Sequence, residues 1–200
     1  MCVCFTHMGD YFFIGDKSGF IYIYSLEFGV GKGTTKSANS KTKISLLKKT
    51  IISKNCPITS ITFSMCWNVE LKKSNPSLLL NTCDNRIRLL SFEPNNSLHP
   101  VIEIANYPIT QQKKMIRSIF CPLISSQKGA FFVSGSEAGH VFIFDLTKKE
   151  NTKKSTVNQL MAHSMAVLDV SWNFDETVLA SCSEDGTVVI WKNFDSKKEL

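Results

Sequence analysis

The 200 residues are 43% hydrophobic and 20% charged, an ordinary globular composition, long enough for one sizeable core or for part of a larger one. Such a composition argues against a disordered chain, and no apolar stretch reaches the roughly eighteen residues a membrane helix requires. The formal net charge of +6 is concentrated in one place: residues 31–55 hold seven lysines and no acid, a local +7 that leaves the remaining chain near −1.

In chain order, the apolar runs are short, β-branched or aromatic, and none carries the 3.6-residue period of an amphipathic helix. CVCF (2–5) alternates, YFFIG (11–15) follows, and KSGFIYIY (17–24) places Ser18 and Gly19 six and five residues ahead of Tyr24. The lysine-rich segment comes next, read as a basic insertion loop over 28–56, with ISLLKKTII inside it read as the fourth strand of the unit. The same order then returns. ITSITFS, SLLLN and CDNRIRLL place Asp84 and Asn85 ahead of Leu90, and HPVIEI follows. IRSIF, AFFVS and EAGHVFIF place Ala138 and Gly139 ahead of Phe144, with Ser134 in the middle run, Asp145 just after the last, and VNQLM beyond. VLDVSW, VLASC and EDGTVVIW place Asp185 and Gly186 ahead of Trp191. Gly or Asn therefore recurs where a tight hairpin needs positive φ.

This spacing predicts an all-β chain of four units, over about 1–52, 57–104, 113–161 and 163–192, with a tail at 193–200. Each unit is a four-stranded antiparallel meander, its fourth strand placed in the variable segment that follows the third. Self-similarity of this kind is the mark of a β-propeller. The aligned positions 24, 90, 144 and 191 lie 66, 54 and 47 residues apart, longer than the roughly 40–45 residues of a compact blade. The surplus falls in polar segments, among them SFEPNNSLHP and NYPITQQKK, which are expected to be surface loops.

His163, Ser181 and Asp185 are the side-chain types of a hydrolase triad, but Ser181 lies inside an apolar strand with no Gly-x-Ser-x-Gly elbow around it. A structural role, with polar side chains satisfying one another in the interior, is the reading adopted, and no catalytic residue is assigned. GVGKGTT fails as a phosphate loop because Leu26 and Gly33 stand where the pattern needs glycine and a hydroxyl residue. The seven cysteines, an odd number and mostly in apolar runs, read as reduced thiols of a nuclear or cytosolic protein that is not secreted. CVC has no second ligand pair at zinc spacing, so neither a metal nor a cofactor is expected.

HSMAVLDVSWNFDETVLASCSEDGTVVIW resembles the WD40 repeat family. That resemblance implies a buried tetrad of His163, Ser181, Asp185 and Trp191, with Ala162 and Lys192 departing from the usual Gly and Asp. Together with MIRSIFCPLISSQKGAFFVSGSEAGHVFIFDL, it resembles the last two repeats of a nuclear member of the family. The implication is four blades of an incomplete propeller, or a C-terminal fragment of a seven-bladed one. The function implied is a non-enzymatic scaffold, nuclear rather than cytoplasmic, that binds other proteins such as chromatin or corepressor components. No small-molecule substrate and no membrane are expected. Arg86, Arg88 and Arg117 are the candidate partner contacts, since Arg is enriched at interface hot spots. The alternative is a nucleic-acid-associated propeller that uses residues 31–55, although that run holds no Arg and no aromatic to stack on a base.

Overall fold

The computed structural model describes residues 1–28, 42–68, 73–96, 98–122, 131–146 and 155–192. These form fifteen β-strands and, among the described residues, no helix. The first sheet is β1 (Cys2–Phe5), β2 (Tyr11–Gly15), β3 (Phe20–Phe28) and β4 (Thr42–Ile51). The second is β5 (Ile58–Asn68), β6 (Lys73–Thr82), β7 (Arg86–Phe92) and β8 (Val101–Pro108). The third is β9 (Ser118–Phe120), β10 (Phe131–Ser134), β11 (His140–Asp145) and β12 (Thr156–Met161). The fourth has three described strands, β13 (Val167–Trp172), β14 (Val178–Ser183) and β15 (Val188–Lys192). Every sheet is an antiparallel meander in sequence order. The first strands pack side by side, β1 on β5, β5 on β9 and β9 on β13, so the four sheets are consecutive blades of an incomplete propeller.

Strand alternation sends one set of side chains to the preceding blade and the other to the following one. Phe13, Ile21 and Ile23 of blade 1 meet Ile58, Leu78 and Leu90 of blade 2 in one core. Leu79, Ile87 and Tyr107 of blade 2 meet Phe132 and Phe144 of blade 3 in a second. Val133 and Val141 of blade 3 meet Val167, Val170 and Leu179 of blade 4 in a third. Three layers of aliphatic and aromatic contact between blades thus replace a single central core.

Each hairpin between second and third strands turns on one residue of positive φ: Gly19 at 85°, Asn85 at 64°, Gly139 at 79° and Gly186 at 80°. Gly19 is also sterically required, since a Cβ there would lie 1.6 Å from the Ser53 carbonyl oxygen. One feature has no counterpart in the sequence reading. In blades 1, 2 and 3 the outer strand carries one extra residue, Leu47, Ile104 and Val157, opposite the third-strand steps Ile23/Tyr24, Leu89/Leu90 and Ile143/Phe144 that precede the position ending the repeat. A bulge adds local twist and re-aims the following side chain.

Three expectations are corrected. The segment 28–56 is not one loop, although the fourth strand expected in ISLLKKTII is present within it. Residues 42–51 pair with β3 as the outer strand β4, because Ile23, Tyr24 and Leu26 there find cross-strand partners in Lys48, Leu46 and Ile44; 29–41 lie outside the described residues. Blade 2 runs beyond 104, since β8 continues to Pro108 with Tyr107 buried in the blade 2–blade 3 core. Nor are the polar segments simply surface loops. Ile109 and Gln111 of NYPITQQKK are buried, and so are Ser91 and Phe92 at the start of SFEPNNSLHP. The tail at 193–200 lies outside the described residues.

Candidate functional site

In blade 4 the four singled-out side chains form one hydrogen-bonded chain. Trp191 comes from β15, Ser181 from β14, Asp185 from the turn between them, and His163 from the segment entering β13. Trp191 Nε1 donates to Ser181 Oγ at 2.8 Å, and Ser181 Oγ lies 2.8 Å from His163 Nε2. His163 Nδ1 is 3.0 Å from Thr187 Oγ1 and 3.3 Å from Asp185 Oδ2. An indole can only donate, so the serine hydroxyl is free to donate onward to Nε2, which places the imidazole proton on Nδ1, facing Thr187 and Asp185. Every donor in the chain then has an acceptor.

Asp185 is the anchor of the turn. Its Oδ1 accepts from the Thr187 hydroxyl at 2.6 Å and the Thr187 amide at 2.9 Å, while Oδ2 accepts from the Ser164 amide at 2.9 Å. The Thr187 hydroxyl and the Ser164 amide hold its carboxyl well below the usual carboxylate range. The His163 side chain is fully buried, and Ser181 is 2% exposed. Ser181 Oγ therefore has neither the access nor the free geometry of a nucleophile. Thr187, which links the histidine to the aspartate, was not singled out from the sequence; its place directly after the Asp-Gly turn is the signal that could have found it.

The other blades solve the same problem differently. In blade 2 the leucines Leu80 and Leu90 replace the Ser and Trp, and Asp84 is held by charge. Arg88 reaches it at 3.0 Å from Nη1 and 2.5 Å from Nη2, Thr82 donates at 2.6 Å, and Ser53 donates at 2.7 Å from the segment entering β5. Burial pushes the Asp84 carboxyl up, but these donors outweigh it and hold it well below the usual range. In blade 1 Ser18 stands at the turn position beside Gly19. Asp16, two residues earlier, caps the turn by accepting from the amides of Ser18 and Phe20 at 2.8 Å each, and Tyr22 of the same hairpin donates to it at 3.2 Å. Tyr24 occupies the Trp191 position and stacks on Phe12 at 4.8 Å.

In blade 3 Ala138 cannot cap the turn. Ser134 is buried and donates to the Gly135 carbonyl at 2.9 Å, and Phe144 stacks on Phe132 at 4.7 Å. Asp145 sits at the end of β11, where its amide donates to the Ser155 carbonyl at 2.9 Å. Next to Ala138, Glu137 turns away to a different task. Its Oε1 accepts from the consecutive amides of Gln112, Lys113 and Lys114 at 2.7, 2.6 and 2.7 Å, which fixes the segment leading into β9. Gln111 in that segment donates to Thr59 at 2.7 Å and accepts from Asn81 at 3.2 Å, tying it to blade 2.

Of the three candidate contact arginines, Arg88 is withdrawn: it is buried against Asp84, and its Nε lies 3.5 Å from Glu103. Arg86 and Arg117 are exposed, with Arg86 reaching Asn106 at 3.5 Å and Arg117 pairing with Asp169 at 3.1 Å. Among the described residues no cluster of three His, Cys, Asp or Glu side chains could hold a metal ion.

Consecutive antiparallel meanders, first strands side by side, and a Trp, Ser, His and Asp chain locking a hairpin define a portion of a β-propeller. Residues 154–192 match the family model described as WD domain, G-beta repeat. The chain is similar to the WD repeat-containing protein WDS homolog of Arabidopsis thaliana, 46% identical over 82 residues, which is 40% of this chain and 14% of that protein. It is also similar to the WD repeat-containing protein 26 homolog of Arabidopsis thaliana, 33% identical over 129 residues, which is 64% of this chain and 20% of that protein. The chain thus spans a fifth or less of these curated relatives. WD-repeat proteins generally act as scaffolds for protein interaction, and the family is typically non-enzymatic.

Proposed function

We propose that this chain is a non-enzymatic scaffold on which another protein docks, the blades supplying rigid support and the connecting segments the contacts. The observation that carries the reading is the double engagement of Ser181 Oγ by Trp191 and His163. The residue types of a hydrolase are spent on holding a turn. Exposed Arg86 and Arg117 are the side chains assigned to partner contact, as Arg combines charge, planarity and a long apolar stem. A nuclear setting and chromatin or corepressor partners rest on the resemblance of residues 115–191 to the last repeats of WD repeat-containing protein thirteen.

The nucleic-acid reading is the weaker one. Lys43 pairs with Glu27 at 3.4 Å, and Lys49 lies over the Phe20 and Tyr22 rings at 4.3 and 5.0 Å, so part of the basic run is engaged within blade 1. Affinity capture from nuclear and cytosolic extracts, repeated with an Arg86→Ala/Arg117→Ala variant, tests the scaffold reading. A defined partner, enriched from the nuclear extract and lost in the variant at unchanged melting temperature, is the expected result. Retention of nucleic acid instead, falling steeply with added salt, would overturn it in favour of the alternative.

A further inference from the structure

Blades 1, 2 and 3 differ at one repeated place, the residue across from the third-strand positions Ile21, Ile87 and Val141. In blade 1 it is Gly15, paired with Ile21; in blade 3 it is Gly135, next after Ser134, which pairs with Phe142. Both glycines let the following blade come into direct contact. A Cβ on Gly15 would lie 2.7 Å from Ile58 Cγ2, and one on Gly135 would lie 2.2 Å from the Val167 carbonyl oxygen. Blade 2 instead has Asn81 there, paired with Ile87 and fully buried. The first strand of the facing blade changes in step. Ile61 of blade 2, paired with Leu80, and Val170 of blade 4, paired with Ser181, are buried apolar side chains, whereas blade 3 has Ser118, paired with Ser134 and buried. The junction of blades 2 and 3 is thus polar on both sides where the other two junctions are apolar.

The surrounding hydrogen bonds fix which way the Asn81 amide points. Gln111 is bonded to the Lys114 carbonyl at 3.1 Å, and a carbonyl can only accept, so Gln111 Nε2 is the atom on that side and Oε1 faces Asn81. Asn81 Nδ2 donates to that oxygen at 3.2 Å, which turns Asn81 Oδ1 the other way. Ser134 Oγ lies 3.5 Å from Asn81 Nδ2 and donates to the Gly135 carbonyl at 2.9 Å. Two atoms are left over: Asn81 Oδ1 and Ser118 Oγ are buried and have no hydrogen-bond partner among the described residues. Both flank Ser134, Asn81 through its amide and Ser118 as the cross-strand neighbour, a relation that sets Cβ atoms about 5 Å apart.

Buried polar groups persist when something satisfies them. The amide oxygen needs a donor and the serine proton needs an acceptor, so a single occupant must serve as both. A bare cation offers the Ser118 proton no acceptor, and a halide offers Asn81 Oδ1 no donor. We infer that the junction of blades 2 and 3 is a binding site for one internal water, which donates to Asn81 Oδ1, accepts from Ser118 Oγ and turns its second proton toward Ser134 Oγ. Three polar neighbours are the usual number for a buried water. The water links blade 2 to blade 3 at the level where Gly15 and Gly135 close the other two junctions by direct contact.

A crystal structure of the full chain, at a resolution that shows ordered water, tests this directly. The expected result is one peak within hydrogen-bonding distance of both Asn81 Oδ1 and Ser118 Oγ. In solution, oxygen-17 relaxation dispersion of the solvent counts long-lived internal waters, and Ser118→Val, which copies the apolar side chain of Val170, should lower the count by one. A Ser118 hydroxyl that donates straight to Asn81 or to a backbone carbonyl, with no peak between them, would overturn the inference. So would a peak that takes on anomalous signal after a rubidium soak, since that marks a cation, or a water count that Ser118→Val leaves unchanged. Should Ser118→Val not fold, the density of the wild-type crystal decides alone.

Discussion

Ser53 donates its hydroxyl to Asp84 Oδ2 at 2.7 Å from the segment that enters blade 2, the place from which His163 approaches Asp185 in blade 4. The two turns share a design, an aspartate in the hairpin held from the preceding segment, with different chemistry. Blade 4 uses a hydrogen-bonded chain ending on an indole, whereas blade 2 uses the Arg88 guanidinium. Arg88→Met keeps the buried stem and removes the charge, leaving Asp84 short of its two strongest donors. A loss of about 1.5–3 kcal/mol is expected, the range for hydrogen bonds to charged groups. Urea denaturation reads it directly, and Asp84→Asn added to Arg88→Met should cost less than the sum of the two single changes, because both act on one pair.

Ser181→Ala leaves two buried groups, Trp191 Nε1 and His163 Nε2, without their shared partner. The expected loss is about 1–3 kcal/mol, the desolvation penalty of an unsatisfied polar group. Ser181→Cys keeps the size but is a poor hydrogen-bonding substitute, so it should recover little. Thermal melts of both variants, run beside an assay of partner capture, separate the two readings of this residue. A structural serine lowers the melting temperature. Lost activity at an unchanged melt would instead restore a functional role.

The carboxyls of Asp84 and Asp185 are both depressed in the folded protein. A group of this kind binds its proton more readily when unfolded. Its stabilising contribution is therefore complete above the unfolded carboxylate value, about 3.9, and is lost as pH falls below that and through the lower folded value. Stability should hold down to about pH 4 and then decline. Asp185→Asn removes one of these titrating sites and is expected to flatten the acid limb in part while lowering the plateau. Superimposable acid limbs for the variant and the wild type, measured by urea midpoint against pH, would refute the assignment.

The repeat was legible because hairpin chemistry is local: Gly19, Asn85, Gly139 and Gly186 all carry positive φ at the positions that the spacing ahead of Tyr24, Leu90, Phe144 and Trp191 marks out. Strand order followed from the same spacing. What the sequence hid is non-local. Arg88 looks like a surface residue in NRIRLL, and only the approach of Asp84 and Glu103 from a turn and an outer strand makes its burial tolerable. Gln111 reads as loop, yet Thr59 and Asn81 from another part of the chain draw it inside. The bulges set Leu47, Ile104 and Val157 of the outer strands opposite the steps Ile23/Tyr24, Leu89/Leu90 and Ile143/Phe144, and hairpin spacing does not reveal them, since a bulge is a property of the pairing of two strands rather than of either one alone.

Gly19 and Gly186 occupy equivalent turns at nearly the same φ, 85° and 80°, and differ in what surrounds them. A Cβ on Gly186 meets nothing within 4 Å, whereas one on Gly19 would fall 1.6 Å from the Ser53 carbonyl oxygen and 2.9 Å from that of Cys56. Gly186→Ala should cost only the left-handed backbone penalty, about 1–2 kcal/mol. Gly19→Ala carries the same penalty and must also push back the segment joining blades 1 and 2, where the Ile52 and Ser53 amides donate to the Gly19 carbonyl at 2.8 and 3.3 Å. Displacing Ser53 also withdraws its hydroxyl from Asp84. The damage in blade 1 is thereby passed to the turn of blade 2, so Gly19→Ala should both lower stability much further than Gly186→Ala and raise hydrogen exchange at the Asp84 hairpin. Equal losses in the two variants, with exchange at residues 82–88 unchanged, would show that the two blades are not coupled through Ser53.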